Sequence, residues 1–188
     1  MGYNRDMVEN KVQRVKTTPL RRLKMSRQTE LLASPQDFGR YRLRPLNEED
    51  GIMVGDLLFK SFRGSIDDEG QTRNQWRQLA LSTFSRGICR SSSLVLLDGK
   101  VPICAMVVVK RGLHRERRSL DLAMTHPEYR GQGLAERLIR QCLHNLRETG
   151  IGAVSLWVTE QNTPALGLYR RLGFEVQEDF YYLKVVIT

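Results

Sequence analysis

The stretch HPEYRGQGLAERLIRQCL, residues 126–143, places two glycines, one residue apart, directly before an amphipathic helix. The first turn of a helix carries amide N–H groups without intrahelical partners and the positive end of the helix dipole, so it favours an anion. Gly131 and Gly133 have no Cβ, which allows positive φ angles and lets a phosphate approach the main chain. The stretch predicts a pyrophosphate-binding turn, with simple turn formation as the alternative.

The chain after this turn indicates a strand–helix–strand ending. The amphipathic helix ends at Gly150, because glycine readily adopts the left-handed conformation that closes helices. Residues 153–159 are an apolar strand, and residues 163–173 have the spacing of a short helix. Residues 180–188 form a closing strand, and residues 174–179 are compatible with one more.

The chain before the turn contains two helices and an antiparallel meander. Asp98-Gly99 joins two apolar runs and is the strongest short hairpin signal in the sequence. Residues 41–45 alternate as a short strand, and residues 48–62 and 73–87 have helical spacing. The element order predicts an α/β (α+β) fold with a single mixed, mostly antiparallel sheet flanked by helices, in which a meander feeds a βαβ unit.

The 188 residues suit one domain with a basic extension. Residues 1–40 hold nine basic and four acidic residues, more than half of the net charge of +9. The apolar residues of this segment show little regular spacing, and it contains prolines at 19 and 35. Both features suggest an arm outside the main core, partly helical over residues 20–32. We therefore expect an extension over residues 1–38, lying on the domain or on a second copy of the chain, and the main domain over residues 39–188.

Several classes of protein are disfavoured by composition. Cys89, Cys104 and Cys142 show no metal-binding spacing, the three histidines are scattered, and no metal site is predicted. No segment approaches the roughly 20 apolar residues of a membrane span, and the first residues lack the apolar centre of a secretory signal, so we expect a cytoplasmic protein. Clustered bases without interleaved aromatic residues favour nucleic-acid binding only weakly.

Two other phosphate-binding motifs fit the glycine turn poorly. A Walker loop requires a Gly-Lys-Ser/Thr ending, which is absent. A dinucleotide fingerprint requires a third glycine where Glu136 stands and a tight strand-to-glycine connection, whereas five residues separate Thr125 from Gly131. Neither nucleotide-binding fold is expected.

Two motifs in the right order resemble the GNAT superfamily of acyl-CoA-dependent N-acyltransferases. The family pattern Arg/Gln-x-x-Gly-x-Gly/Ala reads here as RGQGLA, residues 130–135. Its second segment, an Asn followed by a helix with a Tyr and then Gly-Phe, reads as NTPALGLYRRLGF, residues 162–174. The resemblance is tightest over residues 120–174, and the element order extends it back to Tyr41.

The resemblance implies a site for acetyl-CoA as acyl-donor substrate, without a metal. Backbone amides would hold the CoA pyrophosphate, and a strand edge would pair with the pantetheine arm like an added strand. A β-bulge there would open a slot for the thioester beside the strand at 153–159, and Asn162 would steady the arm. The implied pyrophosphate residues are Arg130, Gly131, Gln132, Gly133, Leu134 and Ala135, and the strand edge is Ala123, Met124 and Thr125.

The resemblance also implies direct acyl transfer from acetyl-CoA to a primary amine through a tetrahedral intermediate. Tyr169, whose side-chain class has a pKa of about 10, would be the general acid that protonates the leaving thiolate, with Tyr181 or Tyr182 as substitutes. Asp121 alternates with Leu120 and Leu122 and is the candidate base, although solvation or pairing within the sheet is its other interpretation. Glu160 lies past the strand end, and the sequence leaves the base unassigned.

The acceptor is the open part of the prediction. The family shapes its acceptor site with the first two helices and their loop, where Asp67, Asp68 and Glu69 could attract a cationic amine or simply be solvated. The basic segment 111–119 has the opposite charge. The expected partners are acetyl-CoA, an amine acceptor and a second copy of the chain. The alternative function is a non-catalytic acyl-CoA sensor or a nucleic-acid-associated module that uses the basic arm.

Overall fold

A single seven-stranded sheet organises the chain in a computed structural model that describes residues 15–29, 36–110 and 117–187. Its strands are β1 (Val15–Gln28), β2 (Arg42–Pro45), β3 (Leu94–Asp98), β4 (Val101–Lys110), β5 (Arg117–Thr125), β6 (Ala153–Thr159) and β7 (Glu175–Ile187). The helices are α1 (Gly51–Phe62), α2 (Arg73–Ser85), α3 (Leu134–Glu148) and α4 (Thr163–Arg171), with short 3-10 turns at Glu48–Asp50 and Pro127–Tyr129. Within these residues, no helix combines the length and apolar character needed to cross a bilayer.

The sheet confirms the predicted fold class. Its strand order is β2-β3-β4-β5-β6-β1-β7, and every described pair is antiparallel except β5 with β6. The hairpin of β3 and β4 turns at the predicted Asp98-Gly99, where Gly99 has a φ of 57°. The parallel pair is the βαβ unit, with α3 as its crossover helix. Where two final strands were considered, the structure has one, β7.

Each face of the sheet packs against one pair of helices. Helices α3 and α4 cover one face, where Leu138, Cys142 and Leu166 meet buried residues of β4 and β6. Helices α1 and α2 cover the other, where Leu58 and Trp76 join a second core cluster. The site residues therefore lie between two rigid apolar layers, which stabilise the sheet by removing apolar surface from water.

Residues 15–28 correct the prediction of an appended, partly helical arm. They form strand β1, which lies between β6 and β7, and Leu20, Leu23 and Met25 are 2% exposed or less. Pro19 is tolerated because β1 pairs with β6 only from Arg22 onward, so the proline lies where β1 has β7 as its one strand partner. The basic side chains concealed this strand, because those that pair with acids of neighbouring strands resemble the charges of a solvated segment in the sequence.

Those pairings also account for basic residues that suggested a nucleic-acid-binding arm. The Arg21 guanidinium donates to Asp179 at 2.8 Å and to Glu160 at 3.0 Å, and the Lys24 ammonium donates to Glu178 at 2.6 Å. Acids in or directly after neighbouring strands therefore balance these charges at the partly exposed surface of the sheet. Residues 1–14, 30–35 and the basic tip at 111–116 lie outside the described residues.

The bulge predicted near residues 123–125 occurs slightly earlier, at Asp121. Val107 pairs with Leu122 while Val108 pairs with Leu120, so Asp121 is the extra residue of β5. As a result Leu120 joins the core beneath α3 and α4, whereas Leu122 joins the core beneath α1 and α2, although regular alternation would put both on one face.

If β1 is part of the core, Met25→Ala should reduce the free energy of unfolding by about 2–5 kcal/mol, because it deletes a fully buried side chain. Leu183→Ala on β7 is the control, since Leu183 is 63% exposed and such changes usually stay within about 0.5 kcal/mol. Urea unfolding measures both. Equal, small effects would show that residues 15–28 do not contribute to the core.

Candidate active site

The glycine turn forms the anion-binding end of the site. Gly131 and Gly133 have φ angles of 75° and 70°, in the left-handed region that favours glycine, and Gly133 is the N-cap of α3. A Cβ at either position would meet nothing within 4 Å, so the conformation, not crowding by the protein, requires glycine. The free space and the unpaired first-turn amides leave room for a phosphate group.

Hydrogen bonds to Tyr41, helix α3 and helix α1 hold this turn in place. The Arg137 guanidinium donates to the carbonyl of Gln132 at 3.2 Å, and the Tyr41 hydroxyl donates to Gln132 Oε1 at 3.1 Å. The Arg130 guanidinium donates to the carbonyl of Ser61 near the end of α1. The turn is therefore fixed before any ligand binds, which lowers the entropic cost of binding.

The strands open beside the turn. Strand β5 pairs with β6 only over residues 117–120, and β6 continues to Thr159 with β1 on its other side. Past Leu120, β5 keeps its ladder with β4 through Thr125, so its other edge, at residues 122–125, has no ladder with β6. An extended ligand can hydrogen bond to such an edge as an added strand does.

A cavity of about 740 Å³ connects the opening with the turn. Its walls come from the end of α1, the β5 edge, the glycine turn and α4. The predicted donor residues that line it are Ala123, Met124, Thr125, Arg130, Gly131, Gly133, Leu134, Ala135, Asn162 and Tyr169. Gln132, which was also predicted, is absent from the described residues that line the cavity. Its side chain instead accepts a hydrogen bond from the Tyr41 hydroxyl.

Tyr169 lies in the wall of this cavity. Its side chain is 8% exposed and packs edge-on against Phe174, with the ring centroids 5.7 Å apart. Burial raises the pKa of Tyr169 to about 12, and the nearby Asp67 carboxylate acts in the same direction. The phenol is therefore protonated at neutral pH and can donate a proton to a group in the cavity. By contrast Tyr181 is 71% exposed on β7, and its ring lies beside Arg21.

Asp121 points away from the cavity. Its carboxylate forms an ion pair with Arg86 at the end of α2, with 3.0 Å between Oδ2 and the guanidinium nitrogen, and its side chain is 8% exposed. The described residues that line the cavity do not include Asp121. The bulge explains this position, since it places Asp121 on the side of α1 and α2, and the ion pair fits a structural role better than proton transfer.

A different carboxylate, Asp67, reaches the donor side from the loop between α1 and α2. It accepts hydrogen bonds from the Thr159 hydroxyl at the end of β6 and from the Asn162 amide at 3.1 Å. Asn162 is also the N-cap of α4, where its side chain accepts from the Ala165 amide at 3.4 Å. The neighbouring Ile66 carbonyl accepts from the Lys184 ammonium at 2.7 Å, so β7 fixes the same loop.

Sequence reasoning missed these loop contacts and the Ser61 hydroxyl, which lies in the cavity wall. Asp67 was considered only as one of three loop carboxylates. Its neighbour Asp68 instead accepts from the backbone amides of Gly64 and Gly70, within its own turn. No local pattern separates Asp67 from Asp68, because Thr159 and Asn162 are more than ninety residues away in sequence and meet Asp67 only in the fold.

The sequence profile of the acetyltransferase (GNAT) family matches residues 52–174, which include the open edge of β5, the glycine turn and the buried Tyr169. The chain belongs to this family and carries its acyltransferase domain. It is 47% identical over 60 residues to a mycothiol acetyltransferase of Thermobifida fusca. That match covers 31% of this chain and 19% of the relative, so the chain spans about a fifth of the relative's length.

Solved structures agree on the fold. A GCN5-related N-acetyltransferase from Sphaerobacter thermophilus superposes with a TM-score of 0.68 at 16% identity, over 91% of this chain and 53% of that one. The PaiA N-acetyltransferase from Thermoplasma acidophilum, solved in complex with coenzyme A, superposes with a TM-score of 0.57 at 19% identity, over 77% of this chain and 98% of that one.

The left-handed backbone at the turn can be tested with Gly133→Ala. The added Cβ should cost about 1–2 kcal/mol of stability at its φ of 70°, and it should weaken coenzyme A binding because it occupies space at the anion site. Gly152→Ala is the matched control, since a Cβ there also meets open space but the backbone has no positive φ. Urea unfolding and calorimetric titration measure both effects, and equal behaviour of the two variants would contradict the assignment.

Proposed function

We propose that the chain is an N-acetyltransferase that moves an acetyl group from acetyl-CoA to a primary amine of a small molecule or a protein. The observation that carries this proposal is the open β5 edge, which joins a glycine turn at one end to Asn162 and Tyr169 at the other. The coenzyme A complex of the Thermoplasma acidophilum protein, which shares this fold, supports acetyl-CoA as donor.

Donor binding follows from the two ends of the cavity. The first-turn amides of α3 and the Arg130 guanidinium would hold the pyrophosphate, and backbone groups of residues 123–125 would pair with the pantetheine arm. A backbone N–H of this edge, near Ala123, is the simplest donor for the oxyanion of the tetrahedral intermediate. Asn162 steadies the arm from the side of α4.

The transfer itself needs two proton movements. The neutral amine attacks the thioester carbonyl carbon, a carbon–nitrogen bond forms, and the nitrogen releases one proton to solvent. The carbon–sulfur bond then breaks, and the Tyr169 hydroxyl donates its proton to the leaving thiolate and regains one from solvent. The raised pKa of Tyr169 does not prevent this step, because an apolar environment raises thiol pKa values as well.

The acceptor enters beside the loop that Asp67 fixes. The carboxylate contacts Thr159 and Asn162, and its negative charge contributes to the raised pKa of Tyr169. A negative group at this end of the cavity favours a cationic amine. A homodimer remains an expectation from the sequence, and the exposed apolar side chains of β7 are compatible with one.

Incubating the chain with radiolabelled acetyl-CoA and a panel of primary amines tests the proposal directly. Tyr169→Phe should lower the rate of transfer about 10²-fold, since that is a typical contribution of a general acid. Its affinity for coenzyme A should not change, because the ring is retained. A fall in turnover with unchanged affinity separates an enzyme from an acyl-CoA sensor. An unchanged rate would remove Tyr169 from the mechanism.

Asp67→Asn should lower kcat/KM for the amine acceptor about tenfold, because it weakens charge-assisted hydrogen bonds that position the loop. Glu69→Gln removes the same charge from an exposed position of the same loop and should change kcat/KM less than twofold. Initial rates at varied acceptor concentration give the comparison. Equal losses in both variants would mean that the net charge of the loop matters and the contacts of Asp67 do not.

A further inference from the structure

The Ser61 hydroxyl is a buried polar group that the fold does not satisfy. Ser61 is 5% exposed, lies one residue before the end of α1 and lines the cavity. Within the part of the chain that the structure describes, its Oγ has no hydrogen-bond partner. An unpaired buried hydroxyl costs free energy, so native proteins rarely keep one without a reason.

A partner inside the helix is the usual solution, and the neighbouring helix shows it. On α2, Ser82, Thr83 and Ser85 each donate to a carbonyl three or four residues earlier, at 2.9 Å in every case. Ser61 has carbonyls in the same relative positions on α1 but makes no such bond. Its hydroxyl is therefore unpaired in the ligand-free protein, and because Ser61 lines the cavity, a rotation of its side chain offers this hydroxyl to a molecule that enters there.

The position of Ser61 indicates which molecule that is. The Arg130 guanidinium, at the start of the glycine turn, donates to the Ser61 carbonyl, so Ser61 lies directly beside the anion-binding end. The cavity wall also contains Met106 and Ala123, whose side chains offer no hydrogen bonds. Between the turn and the open edge of β5, the proposed function places the pantetheine arm, which carries amide groups.

We propose that Ser61 Oγ hydrogen bonds to an amide of the pantetheine arm of the acyl donor and thereby selects donors that have this arm. The inference rests on the proposed function, because it requires the arm to occupy the cavity. It also implies that the unpaired hydroxyl lowers the free energy of unfolding of the ligand-free protein, relative to a methyl group at this position.

Two ligands and two variants test this inference. Coenzyme A contains the arm, whereas adenosine 3′,5′-bisphosphate contains the nucleotide and lacks the arm. Ser61→Ala removes the unpaired hydroxyl. Thr83→Val is the matched control, because Thr83 is fully buried on α2 and its hydroxyl is paired with the Leu79 carbonyl and the Arg86 guanidinium. Calorimetry measures affinity, and thermal unfolding without ligand measures stability.

Ser61→Ala should bind coenzyme A about fivefold more weakly, since one neutral hydrogen bond is lost. It should bind the bisphosphate as the wild type does and unfold about 2–4 °C higher without ligand, because a desolvation cost disappears. Thr83→Val should unfold at a lower temperature and bind coenzyme A with unchanged affinity. These opposite signs distinguish a hydroxyl kept for a ligand from one kept for structure.

Three results would overturn the inference while leaving the proposed function intact. They are unchanged coenzyme A affinity in Ser61→Ala, equal loss of affinity for both ligands, and a lowered unfolding temperature like that of Thr83→Val. A raised KM for the amine with unchanged coenzyme A affinity would assign the hydroxyl to the acceptor and also overturn it. Failure of the wild-type protein to bind coenzyme A would instead reject the proposed function, and the inference with it.

Discussion

The bulge at Asp121 is the local constraint on which the site depends. One extra residue in β5 moves the side chains that follow to the other face of the sheet. Leu120 and Leu122 therefore pack in the two different core clusters. A bulge also bends its strand and increases the local twist. Strand β5 keeps its ladder with β4 but loses its ladder with β6 after Leu120, which leaves backbone groups free at the centre of a sheet. Such groups are costly unless water or a ligand satisfies them.

The rest of the structure stabilises this opening from all sides. Strand β1 pairs with β6 over residues 22–28, so β6 remains within the sheet where β5 leaves it. The ion pair between Asp121 and Arg86 fixes the bulge to α2, and Asp67 links the loop after α1 to Thr159 and Asn162. A slot with rigid walls results, and its preformed shape reduces the ordering that a bound donor would require.

The donor end could be predicted from sequence because its chemistry is local. Two glycines and the start of one helix supply the positive φ angles and the free amides, and all of them lie within six residues. Strand β1 was missed because arginines and lysines lie between its buried residues and resemble a solvated arm until the acids of β7 appear beside them. The side of the sheet on which Asp121 lies was not predicted, because strict alternation of side chains along a strand does not show where a bulge occurs. Asp67 and Ser61 acquire their roles only from residues distant in sequence.

The cavity has one electrostatic consequence for the order of events. Burial keeps the Tyr169 phenol protonated in the cavity wall, as its raised pKa shows. Under the proposed function, an amine acceptor beside the Asp67 carboxylate stays cationic, because a nearby negative charge favours the ammonium form, and it loses its proton where it leaves that charge for the less hydrated edge of β5. The proposal therefore places attraction at the loop first and deprotonation at the open edge of β5 second.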